Sequence, residues 1–585
     1  MKPALTLLLS LMPAVVGAAP AGIPASAGLV VTPSMASYGE DLRAAGSLSA
    51  EADCLDGRVV RLERRPGDGS SWEEVTSGVT GGDGSFSFEL AADANADYRA
   101  VVEARTDGAT VCDEVTSDTA HSSVRAAVTT TARRRWPAGG CVRVEVAVTP
   151  PKPGQAVVVE RREGAAWAEA GDGSLGPASR ATVPVCSGWE DLGDLTLRAR
   201  WAAQDDLNDA GTSRDLAVRV VRASWMRRVD RLAGGAVGIS VREEGAFLFR
   251  HGDARRRAPA SNQKLLLSMA LLAALGPDAR LATRVLARPP EDGVVPGDLW
   301  LVGGGDPEVG RAELRRLATR LRRAGVRRVE GSVRGSTRGL VRDWWARGWR
   351  PYFPRDYVAR PTALVFEGNS ARGRHVRDPE ALAAEELTTQ LRRAGIRVVR
   401  RSGSGRHPAG LEELARIQSR PIGDLLSTTN AYSSNFRAEV LGKVLGGTAA
   451  DAPGSIARGA RAIEAWAEDH GVRVTAFDSS GLSYANRATP EGIVRLLGAA
   501  EEAEWGEALR DGLPSAGHGT LDDRLEGVPV RAKTGTLTGI SALSGWVLAK
   551  DRDAWVEFSI ISTGLSTWRA KAIEDSVVRT LRRNL

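Results

Sequence analysis

The spacing of apolar residues changes twice along the chain and divides it. From residue 28 to about residue 222, apolar and polar positions alternate. Phe86, Phe88 and Leu90 are separated by single polar residues, the two-residue period of a half-buried strand. Gly57-Arg58-Val59-Val60-Arg61-Leu62-Glu63-Arg64-Arg65 reads as a strand running into the turn Pro66-Gly67-Asp68-Gly69 and then Trp72. The pattern recurs. Leu62-Glu63-Arg64-Arg65 with Trp72 is echoed by Val159-Glu160-Arg161-Arg162 with Trp167, the strand shifted by 97 residues. That offset is the size of an immunoglobulin-like sandwich. Two N-terminal all-β, immunoglobulin-like sandwiches are predicted, over residues 28–126 and 127–222, with a spacer role favoured over binding.

After residue 223 the pattern becomes mixed α/β. Ala236 to Arg242 and Ala246 to Arg250 predict a hairpin around Glu243-Glu244-Gly245. The run Leu265-Leu266-Leu267-Ser268-Met269-Ala270-Leu271-Leu272 has no polar face, and a helix apolar all round is a buried helix. Residues 283–419 alternate strands with arginine-rich helices, around Leu314 to Ala324 and Leu382 to Ala394, and read as an insertion. Val530 to Leu537, Ala542 to Leu548 and Trp555 to Ser562 are joined by short turns and predict an antiparallel meander. The basic segment Trp568 to Leu585 predicts an amphipathic helix. Packing on that meander is its favoured role and a membrane-surface anchor the alternative.

The first residues follow neither rhythm. Lys2, the apolar stretch Ala4 to Val16 and the small residues Gly17-Ala18-Ala19 read as a signal peptide over residues 1–19. No later segment has the run of about 18 apolar residues that a membrane helix needs. An exported, soluble protein is expected, in the periplasm or cell wall.

Composition sharpens this picture in three places. A chain of 585 residues with 42% hydrophobic content predicts several domains with real cores. The net charge of +6 is an arginine excess spread along the chain, not a basic tail. It argues against a nucleic-acid partner and fits association with an anionic cell wall or membrane surface. The four cysteines, Cys54, Cys112, Cys141 and Cys186, all lie in the first third. An even number in an exported chain favours disulfides. Three pairings are possible, and the sequential one keeps each bridge inside one sandwich. None is near the candidate chemistry, which argues against a catalytic cysteine or a cysteine-based zinc site.

That chemistry begins at Ser261-Asn262-Gln263-Lys264. Residues three apart share a helix face. A lysine buried there loses water, which disfavours its charged form. A neutral amine beside a serine is a general base beside a nucleophile. The chain has only seven lysines, so one in this position stands out. Two further motifs follow: Ser433-Ser434-Asn435, and Lys533-Thr534-Gly535 at the start of the meander.

In this order and on these elements, the motifs resemble the SxxK, SxN and KTG set of penicillin-binding proteins and class A β-lactamases. The flanking residues are more specifically similar to the low-molecular-mass class C penicillin-binding proteins, the D-alanyl-D-alanine carboxypeptidases/endopeptidases. These stretches are Pro259-Ala260-Ser261-Asn262-Gln263-Lys264, Leu299-Trp300-Leu301-Val302-Gly303-Gly304-Gly305-Asp306-Pro307, Asp478-Ser479-Ser480-Gly481-Leu482-Ser483, and Gly519-Thr520-Leu521 ahead of Lys533-Thr534-Gly535-Thr536-Leu537. The resemblance covers residues 223–585 and not the sandwiches. It implies an α/β transpeptidase/β-lactamase-like domain, an antiparallel sheet with flanking helices, interrupted by the insertion. It departs at Ser434, where an aspartate is usual.

The resemblance implies peptidoglycan stem peptides as substrates and β-lactams as covalent inhibitors. Ser261 would attack and Lys264 would take its proton, with Lys533 lowering the Lys264 pKa and meeting the substrate carboxylate. Ser433 would relay a proton to the leaving amine, and Asn435 would hold the peptide. Thr534, Gly535 and Thr536 would bind substrate, with the Ser261 and Thr536 backbone N–H groups as the oxyanion hole. Asp306, Asp478 and Asn486 are expected to fix loops. His518 lies near the third motif, but no histidine spacing such as HExxH occurs, so no metal and no cofactor are expected. Two alternatives remain. A serine β-lactamase of the same fold needs a dedicated glutamate, which is not evident. A non-catalytic cell-wall-binding protein is disfavoured by the intact motifs.

Overall fold

The computed structural model describes residues 24–108, 110–550 and 554–585. The expected export segment, residues 1–19, lies outside the described residues. The chain divides into two compact units, Met1–Val221 and Arg222–Leu585.

The first unit is all strand and repeats itself. A three-stranded antiparallel sheet of Ser26–Thr32, Asp41–Ser49 and Ser85–Ala91 is followed in kind by one of Ala127–Thr131, Cys141–Thr149 and Arg180–Cys186. Each has a companion sheet. The first runs in the order Met35–Ser37, Ala120–Arg125, Ala96–Val102, Val59–Pro66, Glu73–Val79. The second runs Arg135–Pro137, Leu216–Val221, Gly193–Trp201, Ala156–Glu163, Ala166–Ser174. Even the β-bulge recurs, between Leu62 and Glu63 and again between Val159 and Glu160. The repeated tryptophans share one role. Trp72 lies under the guanidinium groups of Arg65 and Arg99, and Trp167 under those of Arg162 and Arg198.

The disulfides do not repeat. Cys54 pairs with Cys112 and Cys141 with Cys186, the sequential pairing. The first bridge ties the short turn Ala52–Cys54 to the strand Thr110–Cys112. The second joins residues directly opposite each other on adjacent strands. The two copies share strand order but were cross-linked at different places, so the cysteines do not follow the sequence offset.

The second unit is built on a five-stranded antiparallel sheet. Its strands are β1 (Val237–Glu243), β2 (Ala246–His251), β3 (Val530–Leu537), β4 (Ile540–Leu548) and β5 (Trp555–Thr563), in the order β2-β1-β5-β4-β3. The hairpin and the meander predicted from opposite ends of this region therefore form one sheet, joined where β1 pairs with β5. Behind it lies helix α1 (Gln263–Leu275), in which every residue from Gln263 to Leu272 is buried. Helices α2 (Asn435–Ala450) and α3 (Ile456–Asp469) pack against α1. Glycines set the spacing of this layer: a Cβ on Gly446 would fall 2.3 Å from the backbone N of Gly459. Helix α4 (Thr567–Asn584) buries Ile573, Val577, Val578 and Leu581 and packs on β4, leaving Trp568 exposed. That placement bears out packing on the meander. Among the described residues no helix is long and apolar enough to cross a membrane.

The insertion has its own core. A mixed sheet runs in the order Gly403–Gly405, Val333–Ser336, Leu299–Val302, Ala282–Ala287, Glu412–Gln418. The helices Arg311–Arg323 and Pro379–Arg393 bury Leu314, Leu317, Leu321, Leu387 and Leu391 in that core. These are the two arginine-rich helices of the sequence pattern. Their arginines lie mostly on the solvent side, as an amphipathic helix requires.

Candidate active site

Three stretches of chain meet at one end of the sheet. Ser261 lies in the 3₁₀ turn Ala260–Asn262 that leads into α1. Ala260 adopts a left-handed backbone with φ 47°. Strand β3 runs past this turn at close range. A Cβ on Gly535 would lie 3.0 Å from the backbone N of Ser261 and 3.0 Å from the carbonyl oxygen of Pro259. Glycine in the third motif thus lets the strand approach Ser261.

Lys264 is completely buried. Its Nζ bonds to Ser261 Oγ at 3.1 Å, to Asn435 Oδ1 at 2.9 Å and to the Ser480 carbonyl oxygen at 2.5 Å. Burial lowers its pKa to about 8, against the opposing pull of Asp478 and Glu439. A neutral amine has two protons and one lone pair. Asn435 Oδ1 and the Ser480 carbonyl accept the two protons, which leaves the lone pair for the Ser261 hydroxyl.

Lys533 is equally buried, and its Nζ donates to Ser433 Oγ at 3.0 Å and to the Thr534 carbonyl at 2.9 Å. Burial, then the charge of Lys264, hold its pKa well below the ordinary lysine value. Burial is the first cause of the lowered pKa of both lysines.

The second motif divides its work. Ser434 is the N-cap of α2, its hydroxyl accepting from the Arg437 N–H. A serine serves this position as well as aspartate does. Ser433, with a left-handed φ of 53°, and Asn435 are thereby free of capping and turn toward the two lysines. Thr534 Oγ1 donates to Thr520 Oγ1 at 2.7 Å, and Thr536 is exposed. Ser261, Ser433, Asn435, Thr534 and Thr536 share one cleft of about 870 Å³, walled by Tyr352, Phe353, Tyr357 and Tyr484.

Several of the surrounding residues were not singled out from sequence. Glu439 and Ser480 contact the site from behind. Lys443, fully buried on α2, donates to the carbonyls of Val341, Asp343 and Pro361 and pairs with the Asp343 carboxylate at 2.7 Å. It thereby anchors the segment that carries Tyr352, Phe353 and Tyr357. Lysine scarcity was the available signal, since Lys443 is one of only seven. Asp306 serves a turn, as expected, accepting the Glu308 N–H.

The fold and the cleft define a serine acyl-enzyme hydrolase of the penicillin-binding type. Residues 223–372 and 367–584 match the D-Ala-D-Ala carboxypeptidase 3 (S13) family. A D-alanyl-D-alanine carboxypeptidase of Actinomadura sp. (strain R39) is 29% identical over 443 residues, covering 59% of this chain and 81% of that protein. A Mycobacterium tuberculosis carboxypeptidase is 32% identical over 355 residues, covering 54% of this chain and 74% of its own. The crystal structure of Haemophilus influenzae penicillin binding protein 4 superposes with a TM-score of 0.55 at 20% identity, over 61% of this chain and 99% of that one, and shows the same fold. The chain belongs to the D-Ala-D-Ala carboxypeptidase (S13) family. Its activity is that of a serine-type peptidase on peptidoglycan, which places its work outside the cytoplasm.

The Lys264 pKa sets an expected pH dependence. With Lys264 as the expected base, the acylation rate should fall about tenfold per pH unit below the pKa and level off above it. With that pKa at about 8, the profile should bend there and its acid limb should run down through neutrality. Stopped-flow acylation by a chromogenic β-lactam across this range reads it. A rate that is flat through the limb would contradict Lys264 as the base.

Proposed function

We propose that Ser261 Oγ attacks the carbonyl carbon of the penultimate D-alanine while Lys264 Nζ takes the hydroxyl proton. The observation that carries this reading is the amine at 3.1 Å from that hydroxyl, fully buried and with its pKa lowered by that burial. The new C–O bond turns the carbonyl into an oxyanion, held by the N–H groups of Ser261 and Thr536. Collapse breaks the C–N bond. The proton that Lys264 took is returned through Ser433, in contact with Lys533, to the leaving amine, which leaves Lys264 neutral again. Water, with Lys264 again as base, then hydrolyses the ester. Burial disfavours the charged form of Lys533 in the empty site. An arriving substrate carboxylate favours that form, with Thr534 beside it. The same steps cut a D-alanine cross-link when the leaving amine belongs to a second stem peptide.

The two N-terminal copies are read as immunoglobulin-like sandwiches over residues 28–126 and 127–222, serving as a spacer, with the peptidase domain over residues 223–585. Residues 1–19 are read as its export signal.

Mass spectrometry of purified cell-wall fragments tests the reading. Wild type should remove one terminal alanine, split cross-linked dimers, or do both; Ser261→Ala should do neither. Penicillin should label the wild type stably at Ser261. Rapid turnover of the drug would indicate a lactamase, and an absence of label a binding protein. Processing by Ser261→Ala at the wild-type rate would overturn the nucleophile assignment.

A further inference from the structure

Helix α2 carries a carboxyl for which the steps above have no use. Glu439 lies one turn beyond Asn435, on the same face of the helix, and is fully buried. Its Oε1 accepts two consecutive backbone N–H groups, from Ser479 at 3.1 Å and from Ser480 at 2.7 Å. The carbonyl of Ser480 is in turn one of the two acceptors that fix the Lys264 amine. Oε2 has no partner among the described residues.

The loop between them fits without slack. A Cβ on Gly442 of α2 would fall 1.9 Å from Ser479 Oγ, and one on Gly481 would fall 1.9 Å from the carbonyl oxygen of Ala260. The Ser479–Gly481 segment is thus clamped between α2 and the turn that holds Ser261.

We propose that Glu439 is a positioning residue for Lys264: by gripping the Ser479 and Ser480 amides it holds the Ser480 carbonyl against Nζ and keeps the amine's lone pair on the Ser261 hydroxyl. The inference rests on Lys264 being the base. It assigns Glu439 a task of reach, not of charge. Burial, and then the neighbouring Asp478, push the Glu439 carboxyl up to about 8, which favours its uncharged form. An amide oxygen in the same place would serve.

Two variants separate reach from charge. Glu439→Gln keeps the acceptor at full length and removes the acid. Glu439→Asp keeps the acid and withdraws it by one methylene. The acylation rate constant and the non-covalent Kd for a fluorescent penicillin are measured for each, with melting curves to confirm folding. Glu439→Gln should acylate within about threefold of wild type. Glu439→Asp should acylate about ten to a hundred times more slowly, the scale for a misplaced reacting group, with Kd unchanged. A Glu439→Asp enzyme at the wild-type rate, or a Glu439→Gln enzyme as slow as Glu439→Asp, overturns the proposal. Should Glu439→Asp not fold, Glu439→Gln decides alone: retained acylation supports the assignment, and a loss beyond about tenfold overturns it. Lys264→Ala is run beside them. If it acylates normally, the base assignment has failed. If it is inert while Glu439→Asp is fully active, only the role of Glu439 has failed.

Discussion

Lys264→Ala is expected to slow β-lactam acylation of Ser261 by about 10²–10⁴-fold, the range a positioned general base supplies, in a protein that still folds. Ser261 Oγ has the Lys264 amine at 3.1 Å. Lys533 Nζ instead bonds to Ser433 Oγ, at 3.0 Å, and to the Thr534 carbonyl. Neither contact lets it replace Lys264 at the nucleophile. Lys264→Arg should be equally inactive, because a guanidinium keeps its proton even where an ammonium gives one up. The arginine variant therefore separates loss of a base from loss of a positive charge. Acylation by Lys264→Arg within tenfold of wild type, on the order of 1.4 kcal/mol in the barrier, would mean that charge and not basicity is required.

Asp478→Ala is expected to cause the largest loss of stability. Asp478 is completely buried and accepts Trp349 Nε1, the Ser483 N–H and Asn486 Nδ2 at 2.7 Å each, and the Gly481 N–H at 3.0 Å. Removing the carboxylate orphans these four donors at once, together with the Ser480 hydroxyl, which donates at 3.4 Å. Each buried unsatisfied donor costs about 1–3 kcal/mol. Loop relaxation and entering water recover part of that, so a net loss of about 4 kcal/mol is expected, at the upper end for single substitutions. Denaturant unfolding of the C-terminal unit, followed by a tryptophan signal, measures it. The variant should also acylate slowly, since the same loop presents Ser480 to Lys264. A midpoint equal to that of wild type would show that the network carries no load.

The two predictions differ in how far they could be read from the chain. Ser261 and Lys264 were legible because they lie three residues apart ahead of a helix with no polar face. Burial, and so the lowered amine pKa, follows from that local pattern. The meander, the hairpin and the arginine-rich insertion helices were legible for a similar reason: each is a periodicity within a dozen or so residues. The repeat in the first unit was visible in its Leu-Glu-Arg-Arg and Trp echoes, although the cysteines obscured it.

Glu439 and Lys443 were not legible, and the cause is physical. On α2 they are charged residues among Ala438, Val440, Leu441 and Gly442, a pattern that reads only as a helix with interruptions. Their meaning lies in partners distant along the chain. Glu439 meets amides about 40 residues later, and Lys443 meets carbonyls 82 to 102 residues earlier. Sequence pattern does not report which distant backbone groups will be left needing a partner.

By itself the sequence determined the element types, the repeat, the insertion and the three motifs, because local propensity and hydrophobic period act over a turn or a strand. The tertiary structure decided how the hairpin and the meander became one sheet, which carboxyls stand behind Lys264, and that Lys264 and Lys533 are both fully buried. Those are matters of distance and dielectric between segments remote in the chain, and they exist only once burial has removed the water from between them.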